Sequence, residues 1–263
     1  MKFKIILLSV FLSFSVISYS QTEIITKLPA AKTVMFELNF NPMGANGVFS
    51  FETMQGKYWL NNTTVLRLGI GYNTKSNGMA DGDYDPTVQF KSNINEKSSL
   101  FTFKPGIEIR LLKDSKISPY VGLEMIYKNR SSNADYKEYT ENYDYNTQKY
   151  KYDFVETKID GAWRSYTTSN YTGNNGSYTV TNIVYNGERA FSTFGTNLLL
   201  GSDFYFVKNM YVGFEVGLGY QSTLYHKIAV DISTNVEKTT IPSYTISNLD
   251  FYYNNSIRLG VWF

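Results

Sequence analysis

Cysteine is absent from the 263-residue sequence, and charged residues make up only 18% of it. Without a thiol, the chain has neither a disulfide framework nor a thiolate metal site. The formal net charge is +2 at pH 7, which leaves no basic surface of the kind that binds nucleic acid. Disulfide-rich scaffolds and nucleic-acid-binding proteins are therefore excluded as classes.

Long apolar runs are also scarce. The single one spans residues 5–17, follows two lysines and precedes a cluster of small residues. This arrangement is typical of a secretory signal peptide, so we expect residues 1–20 to be removed and residues 21–32 to form a short periplasmic leader. The run is shorter than the roughly 20 apolar residues that a membrane helix needs. No second run follows, which excludes a helical membrane protein.

Aromatic residues, in contrast, are abundant. The chain has 23 Tyr and 18 Phe, and aromatic residues make up 17% of the sequence. This would be an unusual content for a soluble domain. In a transmembrane β-barrel, aromatic side chains form the two interfacial girdles and part of the lipid-facing surface.

Residues 251–263 alternate between apolar and mostly polar or small side chains, which is the period of a β-strand. The odd positions are Phe251, Tyr253, Asn255, Ile257, Leu259, Val261 and Phe263. Such an apolar terminal strand needs a neighbouring strand that pairs with its backbone groups, and an apolar environment for its outward face. A barrel in a membrane, closed by this strand, meets both needs.

Seven further segments show the same alternation. They are residues 34–40, 48–60, 66–72, 101–111, 121–128, 194–206 and 212–220. The second segment changes parity, which predicts a bulge near residues 52–54 and leaves its register open. With the terminal strand, the sequence predicts eight strands.

The connections alternate in length. Those at residues 61–62, 113–119 and 208–209 are short, whereas those near residues 73–99, 129–189 and 227–248 are long and polar, and a shorter one lies near 41–47. Short turns on one side and long loops on the other are typical of outer-membrane barrels. We therefore predict an all-β fold for residues 33–263, an eight-stranded antiparallel up-and-down transmembrane β-barrel with short periplasmic turns and long extracellular loops.

In these features the chain resembles the small eight-stranded outer-membrane barrels of the outer membrane protein A and X kind. The resemblance implies an integral protein of the outer membrane of a Gram-negative bacterium, in contact with outer-membrane lipid and lipopolysaccharide. It also implies recognition by the barrel-assembly machinery through Ile257, Leu259, Val261 and Phe263. Barrels of this family serve as membrane anchors, adhesion surfaces or accessory subunits, and a minority modify lipids.

Charged residues recur on the face that points into the predicted barrel. They are Glu37, Arg67, Lys104, Glu108, Arg110, Glu124, Lys128, Asp203, Glu215 and Arg258. The interior of an eight-stranded barrel is just wide enough to be filled by side chains. Equal numbers of acidic and basic residues therefore predict a network of ion pairs across the lumen. The alternative is a narrow, charge-selective pore for ions or small solutes.

His226 is the only histidine and lies at the upper end of the seventh predicted strand. Ser222 has the same parity, and a lipid-facing Ser–His pair could deacylate lipid. Residues four apart on a strand, however, are roughly 13 Å apart. A catalytic pair would need a serine from a neighbouring strand; the alternative is an interfacial histidine among aromatic residues.

Three carboxylates alternate in one predicted loop, at Asp81, Asp83 and Asp85. Their spacing could hold a calcium ion with oxygen ligands, although the later glycine and the distal glutamate of an EF-hand loop are missing. The alternative is a solvated acidic loop. The sequence indicates no other metal and no cofactor.

The long segment 129–189 is rich in tyrosine and asparagine, which favour recognition surfaces. Alternation within residues 149–158 and 177–185 predicts that the fifth and sixth strands continue above the membrane as a hairpin. The loop is a candidate site for an envelope protein or a polysaccharide, since loops of this length are uncommon unless functional or disordered. The alternative is that the tyrosines only stabilise an exposed β-extension.

The function expected from the sequence is that of a non-enzymatic outer-membrane barrel, either a surface-interaction or adhesion protein or an accessory subunit of an envelope complex. Two alternatives remain at this point. One is an outer-leaflet lipid-modifying enzyme, a hydrolase or an acyltransferase, and the other is the narrow pore.

Overall fold

The computed structural model describes residues 29–40, 49–81, 92–112, 115–173, 176–207, 209–234, 237–253 and 257–262. Within these ranges the chain is all-β, its strands pair in antiparallel fashion, and it has no helix. Consistent with this, the described residues include no helix that is long and apolar enough to cross a membrane. The predicted signal peptide, leader and first loop lie outside the described residues, apart from positions 29–32.

The described residues form strands of very different lengths. In chain order they are β1 Val34–Phe40, β2 Phe49–Trp59, β3 Thr64–Asp81, β4 Ser92–Arg110, β5 Ile117–Asp144, β6 Lys149–Asp160, β7 Trp163–Gly173, β8 Gly176–Gly187, β9 Phe191–Val207, β10 Met210–Tyr225, β11 Ile228–Ile232, β12 Thr239–Ile241, β13 Tyr244–Tyr253 and β14 Ile257–Trp262.

Eight strand positions form a closed ring. Its order is β1, β2, β3, β4, β5, β9, β10 and then β13 with β14, which both pair with β10. The ring closes because β14 pairs with β1, with Leu259 opposite Leu38. All-β architecture and antiparallel pairing, both predicted from the sequence, are thereby confirmed.

The chain turns tightly at one end of the ring, which we call the lower end. Between β2 and β3, the side-chain oxygen of Asn61 accepts hydrogen bonds from the backbone N–H groups of Thr63 and Thr64, at 2.9 and 2.8 Å. Between β9 and β10, Asn209 has φ of 66°, a left-handed conformation that asparagine tolerates better than most residues. The short side chain of asparagine thus stabilises the turns that the sequence predicted.

The predicted bulge in the second strand is confirmed. Along β1 and β2, Glu37 lies opposite Gln55, but Asn39 lies opposite Ser50, so several residues of β2 face the single residue Leu38. The extra residues include the positions at which the sequence pattern changes parity. Beyond the bulge, Gln55 and Lys57 point into the ring and are buried.

Several segments predicted as loops are strands instead, and this corrects the loop assignments. β3 runs on to Asp81, β4 begins at Ser92 and β5 continues to Asp144. These extensions carry polar residues on both faces, so the hydrophobic alternation that marks the lower part of each strand is absent from them.

A second unit, which we call the upper lobe, continues the ring at the end opposite the tight turns. Here the upper part of β5 pairs with β6, β6 with β11, and β11 with β12. Its buried residues form a core of Ala134, Tyr136, Ile159, Ala162, Ile228 and Val230. The predicted hairpin is therefore only half right: β6 pairs with β5, whereas segment 177–185 lies in β8 and pairs with β7, a strand that the sequence did not indicate.

The two faces of the ring differ in the way the sequence predicted. Leu68, Ile109, Leu200 and Val216 point outward and are 40 to 53% exposed. The inner side at the lower end is filled by a cluster of buried, mostly aromatic residues, namely Met35, Trp59, Val65, Tyr205, Tyr211 and Trp262. Apolar side chains thus cover the outside of the ring, and the inside is packed.

Candidate functional site

A layer of charged residues lies inside the ring above the aromatic cluster, and we call it the charge layer. Every strand position of the ring contributes to it. The members are Glu37, Lys57, Arg67, Glu108, Arg110, Glu124, Asp203, Glu215 and Arg258. None of them is more than 4% exposed. Because a strand alternates its side chains between two faces, residues of one parity point into the ring, and the register of neighbouring strands brings them to the same height.

Lys57 joins three carboxylates. Its Nζ lies 2.8 Å from Oε1 of Glu37, 3.0 Å from Oε1 of Glu108 and 3.6 Å from Oδ2 of Asp203. β2 and β9, which carry Lys57 and Asp203, are on opposite sides of the ring. The ammonium group of Lys57 therefore links opposite sides of the ring.

Arg67 binds a second set of carboxylates. Its Nη1 lies 2.6 Å from Glu215 and 3.1 Å from Glu108, and its Nη2 lies 3.1 Å from Glu124. The planar guanidinium group suits this role because its several N–H donors point in fixed directions. Glu108 is thus shared between Lys57 and Arg67.

Asp203 is the point at which two arginines meet. Nη1 of Arg110 lies 2.7 Å from one oxygen of Asp203, and Nη2 of Arg258 lies 3.0 Å from the other. Arg110 also binds Glu108 at 2.7 Å, and Arg258 binds Glu37 at 3.2 Å. The charge layer is therefore one connected network instead of a set of separate pairs.

Neutral groups complete the hydrogen bonding. The hydroxyl of Tyr120 donates to Glu215 at 2.6 Å, that of Tyr211 donates to Glu37, and the amide of Asn197 donates to Glu124 at 3.2 Å. These donors offset part of the desolvation cost of the carboxylates, which would be high without partners. The network is therefore stabilised by hydrogen bonds as well as by charge.

Glycines make room for the two tyrosines. The ring of Tyr120 lies over Gly201, and the ring of Tyr211 lies over Gly260. A Cβ at either glycine would collide with the tyrosine that covers it. Each pair is a cross-strand contact, since Gly201 is opposite Tyr120 and Gly260 is opposite Tyr211.

Eight of the ten charged residues singled out in the sequence belong to the charge layer. The other two, Lys104 and Lys128, are only partly buried. Lys104 is close enough to act electrostatically on Glu124, so it adds a positive charge near that carboxylate. Sequence reasoning missed Lys57 because the register of the second strand was open. The signal was present in the outward alternation of Met54, Tyr58 and Leu60, which places Lys57 inside.

His226 forms a second candidate site on the outer face, near the upper end of the ring. Its Nε2 lies 2.9 Å from Oγ of Ser192, and the amide of Asn129 donates to the same Oγ at 2.9 Å. With the oxygen of Ser192 occupied by the amide hydrogen, the hydroxyl hydrogen is free to point at Nε2. Ser222, the partner considered from the sequence, instead contacts Ser247 at 3.0 Å.

The backbone of His226 is held from both sides. Its N–H donates to the carbonyl of Ala190 at 3.0 Å, and its own carbonyl accepts from Nη2 of Arg189 at 2.7 Å. Ser192 and Asn129 lie on neighbouring strands and are directly opposite each other. Asn129, Ser192 and His226 therefore come from three separate chain segments, which is why sequence spacing did not reveal the Ser–His pair.

In the upper lobe, Tyr136 links two charged residues. Its hydroxyl donates to the carboxylate of Glu96 and accepts the backbone N–H of Arg164 at 2.8 Å. The guanidinium carbon of Arg164 lies 4.0 Å from the centre of the tyrosine ring. Burial, reinforced by the hydrogen bond to Glu96, raises the pKa of Tyr136.

The calcium and assembly candidates are only partly described. Asp81 is the last residue of β3, and Asp83 and Asp85 lie outside the described residues. Among the residues that the structure describes, no group of three or more His, Cys, Asp or Glu could hold a metal ion. Ile257, Leu259 and Val261 lie on β14, which closes the ring, while Phe263 is outside the described part.

No family model, curated protein or solved structure matches the chain.

Proposed function

We propose that the ring is a transmembrane β-barrel of the outer membrane of a Gram-negative bacterium, inserted by the barrel-assembly machinery. The proposed barrel is closed to ions and anchors the upper lobe at the cell surface. The observation that carries this proposal is the inversion of polarity across the wall of the ring. Connected charges are buried inside, whereas apolar side chains are exposed outside.

The exposed apolar surface supports a membrane location. It includes Phe36, Leu38, Ile70, Phe103, Ile107, Leu123, Met125, Phe194, Leu198, Phe214 and Leu218, which come from six of the eight strand positions of the ring. Soluble monomeric proteins rarely expose an apolar surface that is continuous over so many strands. Outer-membrane barrels do so by necessity, because their strands alternate apolar outward and polar inward residues.

The packed interior supports the closed barrel and argues against the alternative of a pore. The side chains of the charge layer have almost no contact with water, and the aromatic cluster lies directly below them. An ion that crossed the ring would have to break pairs that span it, such as Lys57 with Asp203 at 3.6 Å. A closed barrel serves as an anchor, so the surface function falls to the upper lobe and the β7–β8 hairpin.

Cysteine labelling tests the membrane location. Single cysteines at positions 68, 109, 200 and 216 should react with membrane-soluble reagents and resist a water-soluble maleimide in intact membranes. Cysteine at position 145, where the native tyrosine is 85% exposed, is the matched control and should react with the maleimide. Maleimide labelling at several of the four wall positions would contradict the proposal.

Co-purification of a binding partner tests the proposed surface function. Protein purified from native membranes in mild detergent should retain an envelope protein or a polysaccharide. Deleting residues 163–187 should remove that partner and leave the barrel inserted, because β7 and β8 pair only with each other among the described strands. Retention of the same partner after this deletion would place recognition elsewhere.

The contact between Ser192 and His226 favours a second candidate function, hydrolysis of a lipid ester. Oγ of Ser192 would attack the ester carbonyl while Nε2 of His226 takes the hydroxyl proton. The ester C–O bond then breaks, and His226 returns the proton to the departing alkoxide. Water cleaves the acyl-serine and releases a carboxylic acid. The position at the rim of the apolar surface suits an ester close to the lipid headgroups.

Activity of the purified protein toward lipid vesicles tests this candidate. Ser192→Ala and His226→Ala should each abolish the release of fatty acid, while Ser222→Ala, which alters a similar hydroxyl on the same outward face, should leave it unchanged. Equal release by wild type and Ser192→Ala would eliminate the hydrolase and leave the anchor function intact.

A further inference from the structure

A cleft of about 600 Å³ lies at the upper rim of the ring, on the side formed by β3, β4 and β5. It extends from Tyr72 on β3 to His226 and Lys227 after β10. It therefore borders the histidine of the Ser–His pair, but most of its wall belongs to other strands.

Hydroxyl and amide groups dominate the wall. They come from Thr74, Ser76, Ser99, Asn129, Ser131 and Asn133, which lie on the outward parity of their strands. Ser99 and Ser131 are directly opposite each other, and their hydroxyl oxygens are 2.8 Å apart. Groups that both donate and accept hydrogen bonds, spread over three strands, match a ligand that is itself rich in hydroxyl groups.

Two lysines of the cleft are available to an anion. Lys97 and Lys227 are exposed, and neither forms an ion pair with another described residue. The other two cations of the wall differ, since Lys75 and Arg130 bind the carboxylate of Glu188 at 2.6 and 2.8 Å. Among the described residues that line the cleft, Asp160 is the one with a carboxylate, so the two lysines give the wall an excess of positive charge.

The cleft continues into the apolar outer face of the ring. Tyr72 belongs to both, with 68% of its surface exposed. Phe101, Phe103 and Met125 follow below on the same face of β4 and β5 and are also exposed. A polar, cationic cleft directly above an apolar wall matches a molecule that has an anionic headgroup and acyl chains.

We infer that this cleft binds the phosphorylated, hydroxyl-rich headgroup of an outer-leaflet glycolipid. Phosphate groups contact Lys97 and Lys227, sugar hydroxyls bind the serine and asparagine side chains, and acyl chains lie along Phe101 and Phe103. Lys contacts phosphate as a point charge, so the site needs no fixed guanidinium geometry. The inference rests on the proposed membrane location, and it names the lipid instead of a soluble partner.

The test uses detergent-purified full-length protein and measures its binding of lipopolysaccharide, of dephosphorylated lipopolysaccharide and of glucose 1-phosphate. Wild type should bind the intact glycolipid at least tenfold more tightly than either of the other two probes. A Lys97→Ala/Lys227→Ala variant should lose that preference. Lys137→Ala/Lys158→Ala, which removes the same charge from the upper lobe, is the matched control and should keep it.

Extraction of membranes with urea, done in parallel, separates this inference from the proposed function. Resistance of both lysine variants to extraction, together with loss of glycolipid binding in the first variant only, supports the site. Equal binding by both variants, or equal affinity for dephosphorylated glycolipid, overturns it. Equally tight binding of glucose 1-phosphate overturns the lipid as the occupant. Extraction of wild type by urea would instead defeat the membrane location itself.

Discussion

Nη1 of Arg67 lies 2.6 Å from Oε2 of Glu215, although the two residues are 148 positions apart in the chain. They stand on β3 and β10, which face each other across the ring: β4, β5 and β9 lie between them on one side, and β2, β1 and β14 on the other. The ion pair therefore spans the interior. A contact of this kind requires the ring to be closed and narrow.

Reversal of one charge in this layer should destabilise the protein. In Arg67→Glu, three carboxylates lose one of their cationic or hydrogen-bonding partners and a fourth carboxylate is added beside them. Breaking a buried pair typically costs about 3–5 kcal/mol, because a charge remains without compensation. Thermal unfolding in detergent should show a clearly lower midpoint than wild type. Lys238→Glu, which reverses an exposed charge paired with Asp231, is the control and should change the midpoint little.

Lys57 and Glu108 should prove strongly coupled in stability. Lys57→Met leaves Glu37, Glu108 and Asp203 with less positive charge, whereas the additional change Glu108→Gln removes one of these carboxylates. The free energy lost by the double variant should therefore be smaller than the sum of the two single losses. Urea titration of all four proteins measures the coupling. Strict additivity would mean that Lys57 does not hold Glu108 in the folded protein.

The lower part of the ring could be predicted from the sequence because one face of each strand is apolar. Leu68, Ile109 and Leu200 mark the outward face, and parity then places Arg67, Arg110 and Asp203 inside. The closing partner of the last strand followed from topology alone.

The rest of the fold and of the candidate sites depended on information that the alternation of apolar and polar residues does not contain. Lys57 was missed because the bulge in β2 breaks the parity on which the assignment relied. β7 and the upper parts of β3 to β5 have polar residues on both faces, so no face could be assigned to a core. Ser192 was missed as a partner of His226 because the contact is diagonal between β9 and the end of β10, a relationship that register and not spacing decides.

Tyr136 should make the upper lobe sensitive to alkaline pH. Its pKa is raised in the folded protein, so its stabilising effect is complete below pH about 10, the ordinary pKa of tyrosine, and is lost as pH rises toward the higher folded value. Tyr136→Phe should lower the stability of the lobe at neutral pH and weaken its pH dependence above 10. Limited proteolysis between β5 and β6 reports on the lobe. Tyr166→Phe, at an exposed position, is the control.

The interior should block ions at two heights, at the aromatic cluster and at the charge layer. The contributions of the two layers can be measured separately. Wild type in a planar bilayer should show almost no conductance, because the aromatic cluster and the charge layer fill the ring one above the other.

Trp59→Ala removes a large part of the aromatic cluster. In wild type, the indole N–H of Trp59 binds Met35 at 2.7 Å and its ring stacks under Arg110. This variant should still not conduct, because the charge layer above it remains paired across the interior. Combining Trp59→Ala with Arg67→Ala and Glu215→Ala also removes one spanning pair without changing the net charge of the layer, and conductance should then rise above that of Trp59→Ala. Large, stable and ion-selective conductance in wild type, with selectivity reversed and heat stability unchanged in Arg67→Glu, would show instead that the charges line a water-filled pore.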